Sequence, residues 1–591
     1  MREFFKSLFA SFFALVLFTG IGFVLCFVIL VAAGSSSKPT VASKTIVVMN
    51  LDGTLVEHAQ DPNPSEALSA ALNGGAGRRM ALSDLLEAVE TASGDERVAA
   101  LYLTGNLQGG GPAQLRELRQ ALVKFAAKKP LVAWNLNYGR SDYYLASAAN
   151  QLLLHPFGLV QANGFSAEPM FYGGAFKKYG VEVQVTRVGK FKSAVEPYIL
   201  DHMSAENREQ IQTLLGDLWS EWKATVGEGR KLDVAALQAL ADEKGMLRGE
   251  EAKAAKLVDR LANTDEVLDR LKELAGKQAK DKDFPQIEWE AYRAAAFSPK
   301  TSGDQVAVLF AEGEIVDGEG GSQQVGGDRV ARELRRLRMD DRVKAVVLRV
   351  NSPGGSAQAS EVIQREVILT KAKKPVVISM SHLAASGGYW ISAYGSRVLA
   401  EPSTITGSIG VFGLLPNVQK LAAEHGITWD SVQTAKLSNP QSLARPKNPE
   451  ELARIQAVVD DIYARFLDKV AEGRKLKRDA VHEIAQGRVW SGQTALKLGL
   501  VDELGGLQES VKAAAKLANL ADYSVKGPDH EPDGFMKAVV KGLTQGKPRR
   551  VVKAGPVDQL KTEMLRQFEV LEGLNDPQGA YARMPFELGL K

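Results

Sequence analysis

Three short segments in the second half of the chain combine serine with glycine, and each lies at the end of a predicted strand. They are NSPGGS (351–356), HLAASGGYW (382–390) and TGSIG (406–410). Glycines there let the backbone approach a ligand closely, and free amides at a helix start can bind an oxygen anion. A serine becomes a nucleophile only when a neighbouring base accepts its proton. Taken singly, each segment is better explained by an ordinary turn or by tight helix packing, so the rest of the chain must decide.

Length and composition restrict the possible classes of protein. A chain of 591 residues is too long for a single core, so two or more domains are expected. The 73 basic and 70 acidic side chains leave a net charge of only +3, which does not indicate nucleic-acid binding. The single cysteine, Cys26, excludes a disulfide framework and a cysteine-built metal site. The sequence predicts no metal and no cofactor.

The N-terminal region predicts a membrane anchor. From Leu8 to Ala33 there are 26 uncharged residues, enough to cross a bilayer as one helix. Arg2 and Lys6 precede this segment, so the positive-inside rule places Gly34 and the following residues outside the cytoplasm. A cleaved signal peptide is the alternative, but its apolar region is normally only about 7–15 residues long.

The chain contains an internal duplication. DERVAALYLTGN (95–106) matches DDRVKAVVLRVN (340–351), and KKPLVAWNL (128–136) matches KKPVVISMS (373–381). EGRKL occurs twice, at 228 and at 472, and the separation of all matched segments stays between 243 and 246 residues. Such a constant separation indicates two copies of one fold.

Each copy alternates short β-branched runs with helical patterns, which predicts an α/β fold with mostly parallel, buried strands. The predicted divisions are a cytoplasmic N-terminus (1–7), a transmembrane helix (8–33), a linker (34–45), a first repeat (46–275), a second linker (276–304), a second repeat (305–525) and a C-terminal tail of uncertain order (526–591).

In series, the three serine–glycine segments resemble those of the signal peptide peptidase A family in its long, tandem-repeat, membrane-anchored form. The resemblance extends from the anchor to about residue 525 and includes VGKFKSAVEPY (188–198) in the first repeat. It implies a serine protease with a Ser/Lys dyad, built from two tandem domains of the Clp protease and crotonase fold. It implies Ser408 as the nucleophile and Lys192 as the general base.

The duplication gives an independent reason to pair these two residues. Alignment of the copies places Ala162 opposite Ser408, and Ser438 opposite Lys192, so each repeat retains what the other lacks. Lys190 is matched by Lys436 and so occurs in both copies, which suits a role in the fold better than one in catalysis.

A lysine can act as a base only when its amine is neutral, although its pKa in water is about 10.4. Burial disfavours the charged form and can lower the pKa of lysine by roughly 3–5 units. Lys192 must therefore lie in apolar surroundings, and a protonated Lys190 nearby would lower its pKa further. Contact with a carboxylate would restore the proton, and Glu196 and Asp201 are close enough in sequence to threaten the hypothesis.

The oxyanion of a tetrahedral intermediate needs hydrogen-bond donors. The candidates are the backbone amides of Gly354, Gly355 and Ile409, by their places at a helix start and beside Ser408. Asp430 or Ser431 could orient the lysine, although a turn is the better explanation for both.

Other functions remain open at this point. His382 could serve as the base in place of Lys192, whereas His425 suits a helix C-terminus. A crotonase-like acyl-CoA enzyme shares the fold, although export of the body argues against cytoplasmic thioesters. A non-catalytic, membrane-tethered peptide-binding assembly is a third possibility.

The resemblance to the signal peptide peptidase A family implies a membrane-anchored serine endopeptidase that degrades cleaved signal peptides and other short apolar peptides. Its expected location is the bacterial inner membrane, with the catalytic body in the periplasm. The family resemblance implies a homotetramer.

Overall fold

The computed structural model describes residues 13, 17–22, 39–58, 78–298, 300, 303–527 and 575–584. The predicted N-terminus (1–7) and the predicted transmembrane helix (8–33) lie outside these residues, apart from positions 13 and 17–22. Within the described ranges, no helix combines the length and the apolar composition needed to cross a bilayer.

The first half of the chain folds around a parallel six-stranded sheet with the strand order β11-β7-β6-β4-β1-β12. Apolar runs such as LVAWN are buried on both faces because helices cover the sheet on each side. The strands are β1 (Thr45–Asn50), β2 (Gly53–Val56), β3 (Arg79–Ala81), β4 (Val98–Thr104), β5 (Leu107–Gln108), β6 (Leu131–Asn135), β7 (Gln151–Leu154), β8 (Leu159–Gln161), β9 (Glu182–Val188), β10 (Met246–Arg248), β11 (Arg260–Leu261) and β12 (Gln286–Glu288).

Ten α-helices are described in the same half. They are α1 (Leu82–Gly94), α2 (Pro112–Ala126), α3 (Arg140–Ala146), α4 (Gly173–Lys178), α5 (Glu196–Ile199), α6 (Ala205–Arg230), α7 (Val234–Glu243), α8 (Gly249–Ala254), α9 (Thr264–Leu274) and α10 (Trp289–Ala296). A 3₁₀ turn, Ser193–Val195, precedes α5.

The second half repeats this arrangement around a sheet ordered β22-β20-β18-β16-β13-β24, in which β19 also pairs with β18 and β23 pairs with β19. Its pairs are parallel except β20 with β22. The strands are β13 (Gln305–Glu312), β14 (Glu314–Val316), β15 (Gln324–Gly326), β16 (Val343–Ser352), β17 (Gly354–Ser356), β18 (Val376–Ala385), β19 (Arg397–Ala400), β20 (Ile405–Gly407), β21 (Val411–Asn417), β22 (Val489–Ser491), β23 (Glu503–Leu504), β24 (Ser524–Lys526) and β25 (Tyr581–Arg583).

The helices of the second half follow the same pattern of strand and helix. They are α11 (Gly327–Met339), α12 (Ala357–Lys371), α13 (Gly387–Trp390), α14 (Gln419–Glu424), α15 (Pro449–Arg474), α16 (Arg478–Ile484), α17 (Gly492–Lys497) and α18 (Leu507–Leu517).

A third sheet joins the two repeats. Its strand order is β15-β14-β17-β25-β21-β9, so β9 of the first repeat ends a sheet that otherwise belongs to the second half. β9 pairs antiparallel with β21 over seven residues, from Val188 opposite Val411 to Glu182 opposite Asn417. This pairing carries the residues that follow β9 into the second repeat.

A buried ion cluster also connects the repeats. Arg349 of β16 is fully buried, and its guanidinium donates to Glu57 Oε2 at 2.8 Å and to Glu117 Oε1 at 2.5 Å. Both carboxylates belong to the first repeat. Buried charges are tolerated only when they are paired and hydrogen-bonded, so the two halves must be in register for this cluster to form.

Two predicted segments differ in the structure. The segment predicted as a linker, 276–304, contains β12 and α10, and β12 pairs with β1, so much of it completes the first sheet. The charged run that suggested a linker is confined to the residues before β12. In the predicted tail, 526–591, the described residues 575–584 include strand β25, which lies inside the third sheet.

Candidate active site

The turn after β9 places Lys192 in contact with the second repeat. Phe191 N donates to Gln486 O at 3.0 Å, which fixes this turn against the loop before β22. Gly487 in that loop has a φ of +81°, and a Cβ there would lie 2.7 Å from the backbone of Lys192. Only glycine allows the two backbones to approach so closely.

The Lys192 amine lies between two serines of the second repeat. Its Nζ is 2.8 Å from Ser386 Oγ and 3.0 Å from Ser408 Oγ, and it donates to Ser408 O at 3.1 Å. Burial of the side chain lowers the pKa of Lys192 well below its ordinary value, and the positive charge of Arg583 acts in the same direction. A neutral amine has a lone pair, so it can accept the proton of either hydroxyl.

The two carboxylates that could keep Lys192 protonated, Glu196 and Asp201, interact with other residues. Glu196 is buried, but it accepts hydrogen bonds from Ser204 Oγ at 2.6 Å and from Asn207 Nδ2 at 3.0 Å. Asp201 is exposed and pairs with His202. In the described part of the chain, no carboxylate contributes to the lowered pKa of Lys192. Lys190 does not contribute either, since its ammonium lies over the ring of Phe191.

Both serines occupy strained backbone positions. Ser386 (φ 56°, ψ −111°) joins β18 to the short helix α13, and Ser408 (φ 51°) follows β20. Non-glycine residues rarely adopt positive φ, and such strain is concentrated at functional sites. Ser386 N donates to Gly407 O at 2.8 Å, so the two serine turns are tied directly to each other.

The two serines differ in what lies next to them. A Cβ on Gly387, the residue after Ser386, would lie 3.0 Å from Ala582 O in β25 and 3.1 Å from Gly354 Cα in β17. A Cβ on Gly410, beyond Ser408, would instead meet Gly487 at 2.8 Å and the Lys192 side chain at 3.2 Å. Ser386 is therefore next to strands β17 and β25, whereas Ser408 is next to the Lys192 side chain and the loop at Gly487.

The predicted oxyanion donors also differ in whether they lie near Ser386 or near Ser408. Gly354 adjoins Gly387, but its N–H is donated to Ser352 Oγ at 3.1 Å. Gly355 pairs with Ile315 on one side and with Ala582 on the other, within the third sheet. Ile409 is buried in the core of the second repeat, on the Ser408 side of the lysine. Gly387 N–H begins α13 and, among the described residues, has no acceptor.

The remaining candidates lie elsewhere. His382 packs its ring against Gly111 of the first repeat, and burial lowers its pKa to about 4. Its Nδ1 has no partner among the described residues, and it makes no hydrogen bond to either serine. Asp430 and Ser431 are exposed in the loop after α14, whereas Lys192 is fully buried. His425 ends α14 and contacts Leu421 O, as expected for a helix C-terminus.

Ser386 is the residue that sequence reasoning missed. The small residues of its segment, AASGGYW, favour close helix contacts, so the sequence alone predicts packing there. The available signal is a serine on a sharp strand-to-helix turn followed directly by glycines, a local geometry that can hold a serine nucleophile in a strained conformation.

A buried lysine amine contacts two serine hydroxyls between the two α/β repeats, and the strand slot, the space between β17 and β21 that β25 occupies, lies beside them. This arrangement is typical of a serine protease. Comparison with known proteins agrees with this class. The sequence profile of Peptidase family S49 matches residues 123–278 and 368–521, one stretch in each half of the chain. The chain belongs to peptidase family S49.

Relatives match over nearly the whole length. Protease 4 of Salmonella typhi is 35% identical over 98% of this chain and 95% of its own. Protease 4 of Haemophilus influenzae is 34% identical over 95% and 94%, respectively. Serine protease SPPA, a chloroplastic protein of Arabidopsis thaliana, is 32% identical over 77% of this chain and 68% of its own. This chain is therefore a serine protease.

Among solved structures, a mutant of ClpP1 from Listeria monocytogenes is 15% identical, with a TM-score of 0.24 over 34% of this chain and 94% of its own. A mutant of the 1510-N membrane-bound stomatin-specific protease is 14% identical, with a TM-score of 0.27 over 39% of this chain and 100% of its own.

Proposed function

We propose that this protease is a membrane-anchored endopeptidase that uses a serine and Lys192 to hydrolyse signal peptides and other short apolar peptides. The observation that carries the proposal is the buried Lys192 amine, 2.8 Å from Ser386 Oγ and 3.0 Å from Ser408 Oγ. Each repeat supplies one side of this contact, so the catalytic pair exists only where the two repeats meet.

The proposed nucleophile is Ser386. The sequence motifs alone predict Ser408 for this role. Ser386 Oγ is the nearer of the two hydroxyls, and Gly387 after it adjoins the strand position. Ser408 is assigned a positioning role, because its hydroxyl and its carbonyl both contact the amine from the far side. The amine is thereby directed towards Ser386.

The chemical steps follow from these contacts. Neutral Lys192 Nζ takes the proton of Ser386 Oγ while the oxygen attacks the scissile carbonyl, and the resulting ammonium returns the proton to the leaving amine. Water then attacks the acyl group on Ser386 Oγ, with Lys192 Nζ taking the water proton and returning it to Ser386 Oγ as the acid product leaves. The N–H of Gly387 is the first candidate donor for the oxyanion. Gly354 N–H can join it only by giving up its bond to Ser352 Oγ, so Gly354 is a secondary candidate. Gly355 and Ile409 are not retained as donors.

The substrate class is proposed from the walls of the site. Next to Ser386, the apolar side chains of Leu214, Leu218, Ala385, Ile405 and Val489 form a cluster that both repeats line. An apolar side chain before the scissile bond fits such surroundings, as the core of a signal peptide would provide.

Location and assembly remain part of the proposal. The uncharged stretch from Leu8 to Ala33, with Arg2 and Lys6 before it, supports an inner-membrane anchor with the protease in the periplasm. A homotetramer is supported only by the resemblance of the motifs.

The test is hydrolysis of a fluorogenic apolar peptide by the full chain in detergent, compared with Ser386→Ala, Lys192→Met and His382→Ala variants. The proposal expects the first two variants to lose activity by about two orders of magnitude or more and the third to be active. Full activity of Lys192→Met together with loss in His382→Ala would instead indicate a Ser/His mechanism.

A further inference from the structure

Residues 575–584 of the same chain occupy the space between β17 and β21, and they include strand β25. β25 pairs antiparallel with β17, with Gly354 opposite Arg583, Gly355 opposite Ala582 and Ser356 opposite Tyr581. On its other side, Tyr581 pairs with Phe412 of β21. β17 and β21 do not pair with each other in the sheet order, so a single strand bridges them. This is how an extended peptide is bound by strand addition.

The segment crosses the catalytic serine. A Cβ on Gly354 would lie only 2.0 Å from Ala582 O and 2.6 Å from Gly387 N, so the three backbones meet beside Ser386. Met584 N then donates to Pro353 O at 2.7 Å. A second peptide cannot occupy the same hydrogen-bonding edge of β17 while this segment is bound.

Met584 fills the apolar cluster next to the nucleophile. Its side chain is only 4% exposed and packs in the same cluster as Ala385, Ile405 and Val489. Ala385 is the residue directly before Ser386. Met584 therefore lies where the proposed mechanism needs the apolar side chain that precedes the scissile bond.

Polar contacts on both sides of β25 fix its register. Asp576 accepts hydrogen bonds from Ser356 Oγ at 2.6 Å and from Gln358 N at 3.1 Å. Arg583 forms an ion pair with Glu314, with 2.9 Å between Nε and Oε1. The ring of Tyr581 packs on Phe412 with 5.9 Å between centroids. These contacts make the segment a specific ligand of the groove.

The sequence after this ligand disfavours its cleavage. Residue 585 is proline, so the bond after Met584 involves a ring nitrogen that carries no hydrogen. A proline also restricts the conformation of the residue before it. The segment is therefore suited to occupy the groove without being cut.

We propose that residues 575–584 are a tethered competitor of the substrate, which holds the catalytic groove until a free peptide displaces it. This inference rests on the proposed function, because it assumes that Ser386 marks the site of cleavage. Since the segment belongs to the same chain it is not lost by dilution, and a free peptide must outcompete an intramolecular ligand.

The first test releases the segment by Met584→Glu, which would place a carboxylate in the apolar cluster. Docking of the segment is then disfavoured, because a buried charge without a partner is costly. We expect KM for a fluorogenic apolar peptide to fall severalfold while kcat stays unchanged. Met584→Leu, which keeps the apolar contact, and Met339→Glu, on an exposed methionine of α11, should both behave as wild type.

A second measurement reports docking without catalysis. Hydrogen exchange at the amides of Tyr581–Met584 should be slow in the full chain and fast in Met584→Glu, also in a Ser386→Ala background. If these amides are released and KM does not change, the segment is not a competitor and the inference is wrong. If Met584→Glu leaves them protected, the double variant Asp576→Ala/Met584→Glu is measured in its place, and protection that persists there overturns the inference.

A synthetic peptide of residues 578–584 provides a third, independent test. It should inhibit the released variant competitively, raising KM and leaving kcat unchanged, and a peptide in which Met584 is replaced by Glu should not. Absence of inhibition by the first peptide contradicts the inference. Failure of the proposed function would appear differently, as activity that persists in the Ser386→Ala variant.

Discussion

At the same place in the fold, the first repeat has Arg140 and the second repeat has Ser386. The equivalence is marked by a matched pair of hydrogen bonds: Tyr143 OH donates to Leu257 O at 2.7 Å, and Tyr389 OH donates to Leu500 O at 2.9 Å. Three residues before each tyrosine stand Arg140 and Ser386, respectively. The Arg140 guanidinium lies over Phe165, 4.0 Å from the ring centroid, and donates to Gly164 O.

The sheets beside these residues differ as well. In the first repeat, a small sheet ordered β3-β2-β5 ends at β5. Its counterpart in the second repeat continues past β17 through β25 and β21 to β9. The first repeat retains a cavity of about 60 Å³ among residues that include Gly110, Arg140, Phe165 and Trp222. The first copy thus lacks the proposed nucleophile and the strand that pairs beside it, while it supplies the lysine that the second copy lacks.

The largest expected effect comes from replacing Ser386, and the neighbouring Ser408 is the comparison. Ser386→Ala should reduce kcat on the order of 10⁴-fold or more, because it removes the attacking oxygen. Ser408→Ala should cost only about tenfold, the value of one hydrogen bond of about 1.5 kcal/mol to the amine. Single-turnover and steady-state assays on an apolar peptide measure both. The opposite ranking would return the nucleophile to Ser408.

Lys192→Met is the next change in size. It should lower kcat about 10²–10⁴-fold, as expected for loss of a general base. Lys190→Met is the matched control two residues away, and it should retain activity because its ammonium lies over Phe191 and not at the serines. Equal losses in both variants would contradict the assignment of the base.

The lowered pKa of Lys192 gives a pH test with a defined sign. Because the amine must be neutral, kcat/KM should rise with pH as the solution passes through the lowered pKa of Lys192. Between that pKa and the ordinary value of about 10.4, the unfolded chain binds the extra proton, so the free energy of unfolding also rises with pH. Lys192→Met should remove this rise. Chemical denaturation across pH 6–10 measures it, and an unchanged slope in the variant is the contrary outcome.

The contact between the repeats can be weakened at the buried arginine. Arg349→Ala leaves Glu57 and Glu117 buried without their partner, which should reduce the free energy of unfolding by about 3–5 kcal/mol. Activity should fall with it, because Lys192 reaches Ser386 only when the halves are in register. The exposed Arg465→Ala variant is the control and should change stability by less than about 1 kcal/mol.

The smallest effect is expected in the first repeat, where introducing a serine should give no new activity. Arg140→Ser restores a serine at the equivalent position of the first repeat, but no lysine comes with it, since Ser438 stands where the second repeat would need one. The variant should show no new activity when combined with Ser386→Ala. Recovered hydrolysis in that double variant would mean that the first repeat is catalytically competent.

Several of these features could be predicted from the sequence, and for clear reasons. The duplication is visible because repeated strings keep a constant separation, and the family profile matches one stretch in each half. The contact between Lys192 and the second repeat follows from complementary loss between the copies. The assignment among serines could not be made, because it depends on the φ of Ser386 and on which turn adjoins the strand slot. The ion cluster of Arg349 and the position of β25 depend on residues far apart in sequence, so no local pattern indicates them.

The most direct test of the account is to identify which side chain a serine-reactive phosphonate modifies in the full chain. Peptide mapping by mass spectrometry should place the adduct on Ser386, and the adduct should be lost in Lys192→Met and retained in Ser408→Ala. An adduct on Ser408, or labelling that does not depend on Lys192, would contradict the proposed catalytic pair.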